Sequence, residues 1–282
     1  MVFKLDLHVH TLSRGKVYVD DRQLKAAIKA RGIDGIAVTN FFDIEHARWL
    51  KEKLPEHTII VGQEVWSRDG HVIGLGMTHR VNDFQTVQKT VEDIHAQGAI
   101  AVAVHPFMHH GLGAKAIEAG VDAVEVYNGI IGGLGVFNFL AGRMAQKYKL
   151  PRLSSGDTSS ADFIGWNQTH VDADTAAGII EAIKRGKTRV VRRALPLPWA
   201  FLTHNLLKTP HLKPWPVHAA PCLVCGEAWV ISLKASSCQC MGCGVVDRSH
   251  LACCQGHYYC VGCLAAVGHA KALALRQREY LS

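Results

Sequence analysis

The chain has 282 residues, enough for a barrel-sized core with a smaller module beside it. Hydrophobic residues make up 48% and charged residues 20%, and no apolar run reaches the ~20 residues of a membrane span, so no membrane partner is expected. The formal charge of +7 does not define a nucleic-acid protein: seven Lys/Arg against three Asp/Glu follow residue 193, and nowhere is there a basic block.

Met1-Val2-Phe3-Lys4-Leu5-Asp6 has no basic stretch followed by an apolar one, so no signal peptide is expected. The expected compartment is the reducing cytoplasm, where cysteines serve as metal ligands rather than disulfides. Lys4–His10 reads as a strand, and Arg22–Arg31 as a helix with Asp20 or Asp21 as cap and Gly32 as stop. Gly35–Thr39 is a strand, Ile44–Lys53 a helix, and Thr58–Gly62 and His71–Leu75 are strands. Phe84–Gln97 reads as a long helix ended by Gly98. Ala99–Val104 is a continuous apolar strand of the kind buried on both faces. A short helix near Ala114–Ala119 precedes the strand Ala123–Tyr127, and Leu134–Tyr148 is helical. Arg152–Ser155 is a strand, Asp174–Arg185 a helix and Thr188–Val191 the last strand of this region. The β-α alternation predicts an α/β parallel sheet with helices outside, closed as a barrel of about seven or eight units. A doubly wound open sheet has the same periodicity.

Residues 194–221 hold six of the nine prolines and read as a linker, and all nine cysteines follow it. The expected organisation is therefore a barrel over 1–193, a Pro-rich linker over 194–221 and a Cys-rich domain over 222–282.

In parallel barrels the chemistry sits at the C-terminal ends of the strands. Here those ends carry His8 and His10, which share a strand face, then Thr39-Asn40, Gln63-Glu64, His105-Pro106, Glu125-Val126-Tyr127-Asn128 and Ser155-Gly156-Asp157. Imidazoles and carboxylates gathered at one rim are the raw material of a metal site.

These segments, Asp6-Leu7-His8-Val9-His10-Thr11 first among them, resemble the PHP (polymerase and histidinol phosphatase) superfamily of metal-dependent phosphoesterases over about residues 1–193. The resemblance implies a distorted (β/α)7 TIM-like barrel with up to three divalent metals. It places His8, His10, Glu64 and Asp157 on a first metal and Glu64 and His105 on a second, with Glu125 or Asn128 as a further ligand. The third site departs from the family. Its Thr-Asp-His reads Thr39-Asn40-Phe41, its Asp-x-His reads Asp157-Thr158-Ser159, and its loop ligand reads Arg14. The expectation is a two-metal site of Zn, Mn or Fe, with the Arg14 guanidinium meeting the phosphate where a third cation would. Met108 stands where the family often has Arg, which leaves His109, His110 or His46 as phosphate donor or leaving-group acid.

Cys222-x2-Cys225, Cys240-x2-Cys243, Cys254-x2-His257 and Cys260-x2-Cys263 make four ligand pairs, enough for two structural zinc ions, sequential or interleaved. A final helix is expected over about Ala265–Tyr280. The predicted activity is hydrolysis of a phosphoester by a metal-activated water. The substrate class is a phosphorylated small molecule, a nucleotide or a nucleic-acid end. The alternative is a catalytically reduced barrel that binds nucleic acid or protein through its zinc domain.

Overall fold

The chain opens on β1 (Val2–Val9), buried along its second half. The computed structural model describes residues 1–13, 16–108, 110–129 and 135–193, then 216–217, 229–239, 241, 244 and 246–253. β2 (Leu12–Ser13) and β3 (Lys16–Val17) pair antiparallel. α1 (Asp21–Arg31) begins on a capping box in which the Asp20 side chain accepts from the Gln23 amide and the Gln23 side chain returns to Asp20. It ends at Gly32, whose φ of 61° is the left-handed cap that glycine takes without a Cβ clash. β4 (Gly35–Val38), α2 (Glu45–Lys53), β5 (Thr58–Trp66), β6 (His71–Leu75) and α3 (Val87–His95) follow. The last is shorter than expected: Phe84 takes a φ of 63°, and Thr86 caps the first turn by accepting from the Lys89 amide. Next come β7 (Ile100–Ala103), α4 (Lys115–Glu118), β8 (Ala123–Asn128), α5 (Gly135–Tyr148) and β9 (Arg152–Ser155). β10 (Gln168–Asp172), α6 (Ile179–Lys184) and β11 (Thr188–Val191) complete the region.

Nine strands form one sheet in the order β11-β10-β1-β4-β5-β6-β7-β8-β9. The expected all-parallel sheet is corrected to a mixed one. β1-β4-β5 and β7-β8-β9 run parallel, but β6 is antiparallel to both neighbours and β10 to both of its own. The link between β5 and β6 is only Ser67–Gly70, far too short for a parallel crossover, so the chain turns back as a hairpin. The two ends of the sheet meet through side chains. The Ser154 amide donates to Thr169 Oγ1 at 2.9 Å and its hydroxyl to the Val191 carbonyl at 3.1 Å, and Thr188 Oγ1 donates to the Arg152 carbonyl at 3.1 Å. The result is a nearly closed, barrel-like sheet.

One apolar cluster fills the curl of the sheet, with Leu5, Leu7, Ile73, Leu75, Val102, Val104 and Leu153 meeting Ile183 of α6. The other lies between sheet and helices and joins Ile36 and Val38 to Leu24, Ile28, Leu50 and Ile94. Each such fully buried side chain contributes roughly 1.5–3 kcal/mol. The β1–β4 register shifts between Asp6 and Val9. Leu7 and His8, which strict alternation would place on opposite faces, line the same interior cavity.

The chain divides into two units, Met1–Asn205 and Leu206–Ser282. In the second, β12 (Pro216–Val217), β13 (Trp229–Gln239) and β14 (Val246–Cys253) form an antiparallel sheet in that order. Pro216 and Val217, expected in the linker, pair with Val230 and Trp229. Cys238 lies opposite Asp247. Cys222, Cys225, Cys240, Cys243, Cys254, His257, Cys260 and Cys263 lie outside the described residues, as do the final helix and the rest of the linker. No helix among the described residues is long and apolar enough to cross a membrane.

Candidate metal centre

Glu64, near the end of β5, is the hub of the site. Its Oε2 lies 3.0 Å from His10 Nε2 and 3.2 Å from His8 Nε2. Asp157 Oδ1 closes this side, 3.4 Å from His8 Nε2 and 3.6 Å from His10 Nε2. Asp157 is held there by its backbone: its amide donates to the His8 carbonyl at 2.9 Å, and its φ is 49°. A left-handed non-glycine residue at such a point is strain stored where side-chain aim matters. His8, His10, Glu64 and Asp157 are thus brought together.

The other carboxylate oxygen, Oε1, lies 2.8 Å from His71 Nδ1 and 3.2 Å from His105 Nε2. His105 also has a positive φ, 30°. His71 was read only as the start of a strand, and it is a site residue that sequence reasoning missed. The signal was Asp69-Gly70, a hairpin turn pair. It sets His71 opposite Trp66, on the face that Trp66 shares with Glu64.

Two triads therefore overlap, His8-His10-Glu64 and Glu64-His71-His105, each with donor atoms within 4.8 Å of one another. His71 Nε2 and His105 Nδ1 are buried with no hydrogen-bond partner among the described residues. Imidazole nitrogens and carboxylate oxygens in buried groups of three suit divalent cations, and the residues fit them.

Glu125 and Asn128, expected as alternative ligands, sit behind this layer. Glu125 Oε1 is 3.0 Å from His8 Nδ1 and also accepts from the Ser155 hydroxyl. Its Oε2 accepts from the His105 amide at 2.8 Å and from Asn128 Nδ2 at 2.9 Å. Asn128 Nδ2 donates as well to Asp157 Oδ2 at 2.9 Å. A carboxylate on the far nitrogen of a ligating imidazole fixes its tautomer and turns the other nitrogen toward the metal. Asp6 does similar work on the backbone, accepting from the amides of Gly156 at 2.8 Å and Gly165 at 2.9 Å. Burial pushes its carboxyl up to about 7 despite those bonds.

Charge is concentrated here. Burial alone pushes His8 down, but Asp157, Glu64 and Glu125 together hold it well above the usual imidazole range. Burial also opposes protonation of His10 and His105, and the hydrogen bonds they donate to carboxylates (Asp157 and Glu64 for His10, Glu64 for His105) reverse it. Burial pushes Glu64 up, and His8, His71, His10 and His105 carry it well below the carboxylate range. Asp157 is lowered in the same way against its own burial. The carboxylates thus favour the protonated forms of His8, His10 and His105, and a cation entering would compete with those protons.

The positions where the sequence differs from the superfamily motifs it resembles, and the histidines near them, are placed as follows. Asn40 Oδ1 accepts from the amides of Thr11 and Leu12 at 2.8 and 2.9 Å, clamping the chain beyond His10. Phe41 stacks on the His10 ring with centroids 4.9 Å apart. Thr158 Oγ1 accepts from the Ser160 amide at 3.0 Å. His46 is aimed at Thr11 Oγ1, 2.8 Å away, and stacks on Trp49. His110 stacks on His71, with centroids 5.2 Å apart. Arg14 and His109 lie outside the described residues. A cavity of about 150 Å³ opens over the centre, lined by His10, Phe41, Glu64, His71, His105, Met108 and Asp157.

No family model matches the chain. It is 29% identical over 139 residues to an uncharacterised protein of Methanocaldococcus jannaschii, covering 44% of this chain and 81% of that one. PsfC from Pseudomonas syringae superposes with a TM-score of 0.53 at 17% identity, over 72% of this chain and 96% of its own. A candidate metal-dependent phosphoesterase from Bifidobacterium adolescentis gives 0.43 at 12% identity, over 56% of this chain and 88% of its own. The lesion-specific endonuclease of Pyrococcus furiosus gives 0.46 at 14% identity, over 89% of this chain and 70% of its own. The likeness to PsfC shows a shared fold.

Proposed function

We propose that the protein is a metal-dependent phosphoesterase with a two-cation centre. The observation that carries this reading is the pair of buried triads joined at Glu64. His8, His10, Glu64 and Asp157 would hold one cation, and Glu64, His71 and His105 the other. Zn, Mn or Fe bound there supplies Lewis acidity toward a phosphoryl oxygen and a water ionised near neutral pH.

The rest of the chemistry belongs to the chain. Glu125 keeps the His8 Nδ1 side occupied, so that Nε2 faces Glu64 and Asp157. Asp6 anchors the backbone on both sides of Asp157. Arg14 is assigned to bind the phosphate, and His109 or His110 to donate to it or to protonate the leaving group. The substrates proposed are a small phosphomonoester, a nucleotide or a nucleic-acid end. The cysteine pairs are assigned two structural zinc ions, and the protein is placed in the cytoplasm.

The test is metal analysis together with a substrate panel that includes a short 5′-phosphorylated oligonucleotide. The reading expects Mn- or Zn-dependent release of phosphate or mononucleotide that is lost in His8→Ala. Turnover equal to that variant's would leave a binding module instead.

A further inference from the structure

The lining of the cavity over the centre is of two kinds: His10, Glu64, His71, His105 and Asp157 are polar or ionisable, and Phe41 and Met108 are apolar. Phe41 is set in place by its backbone, which bridges to Glu64 in parallel fashion. Its ring lies nearly flat on His10, at 18°, and meets His71 edge-on at 5.2 Å. Met108 is tied to the ligand segment by its amide, which donates to the His105 carbonyl at 2.9 Å. Both side chains are half-buried, and neither offers a strong donor or acceptor. A hydroxyl pressed against them would lose its water with nothing in exchange. An aromatic ring would gain apolar burial, an offset stack on Phe41 and a thioether contact with Met108.

Resting on the phosphoesterase reading above, we infer that the alcohol part of the substrate carries an aromatic ring seated between Phe41 and Met108, and is not a polyol. Phe41 and Met108 are then specificity-determining residues: these apolar side chains select the ester group while the polar lining engages the phosphoryl.

The test uses the full chain loaded with Mn2+ and non-hydrolysable phosphonates, read by calorimetry. Benzylphosphonate should bind at least about tenfold tighter than 2-hydroxyethylphosphonate. Met108→Gln should cut that ratio to about threefold or less with the bound Mn2+ unchanged, and Phe41→Leu should cut it as well. If Phe41→Leu loses metal, Met108→Gln decides. Equal affinities, no binding of either compound, or a ratio unmoved by Met108→Gln would overturn the inference. A thymidine 5′-monophosphate arm separates a ring one carbon from phosphorus from a ring carried across a sugar: whichever ligand loses more affinity in Met108→Gln is the better mimic. Benzyl phosphate and glycerol 1-phosphate, whose leaving groups are both alkoxides, are assayed in parallel. Hydrolysis of neither, together with no turnover of the 5′-phosphorylated oligonucleotide, would remove the phosphoesterase reading while the binding ratio still judges the pocket.

Discussion

Oε1 of Glu64 lies 2.8 Å from Nδ1 of His71 and points the carboxylate at an imidazole on the next strand of a hairpin. With His105 on the same oxygen and His8 and His10 on the other, one buried carboxylate faces four histidines. His71→Ala is expected to leave the fold intact and remove one cation per chain relative to wild type, measured by plasma emission spectrometry on reconstituted protein. Turnover on any substrate found should fall roughly 10²-fold or more. Unchanged metal content would exclude His71 as a ligand.

Glu125→Gln separates a ligand from a residue that orients one. An amide at this position can present N–H to His8 Nδ1, which moves the imidazole proton to the nitrogen that faces Glu64 and Asp157. Affinity for Mn2+ should weaken about 10- to 100-fold, with full stoichiometry recovered at saturating metal. A lost equivalent at saturation would make Glu125 a direct ligand.

Much of this was legible before the fold. The spacing of His8 and His10, the capping residues of α1 and the buried apolar run of β7 each depend on local chemistry that a sequence displays. β10 was not legible, because its buried positions include Gln168 and Thr169, whose polarity hides the alternation. The orientation of β6 was written in Asp69-Gly70 but was overridden by the β-α rhythm around it. The role of Glu125 could not be read at all. A carboxylate that grips a metal and one that grips a ligand's far nitrogen are the same residue until the sheet curls.

Gly35 begins β4 in register with Thr58 of β5. A Cβ there would stand 1.8 Å from the Thr58 carbonyl oxygen, and backbone on both sides leaves no flexible neighbour to give way. Gly35→Ala should destabilise the barrel by about 2–4 kcal/mol, at the upper end of overpacking changes. Urea denaturation would report it as a lower midpoint at unchanged m-value. An unchanged midpoint would mean that the β4–β5 pair can separate without loss.

Asp83 gives a pH signature away from the metal ligands. Its carboxyl is almost fully buried; Oδ1 accepts from the Trp66 amide at 2.9 Å, while Oδ2 has no hydrogen-bond partner among the described residues and Arg80 Nη1 is 3.8 Å away. Burial pushes it up to about 7, and the Trp66 amide and Arg80 offset only part of that. The folded state therefore binds this proton more tightly than the unfolded chain does. The associated stability is full below the unfolded pKa near 4 and is lost as pH rises through about 7. In Asp83→Asn the side chain cannot ionise, and Oδ1 can still accept from Trp66. The stability of the variant relative to wild type should rise by roughly 2.5 kcal/mol between about pH 5 and pH 8. Denaturant titrations of both proteins across that range isolate the residue, because every other titrating group is common to both. A constant difference would mean that Asp83 is ionised in the folded protein throughout.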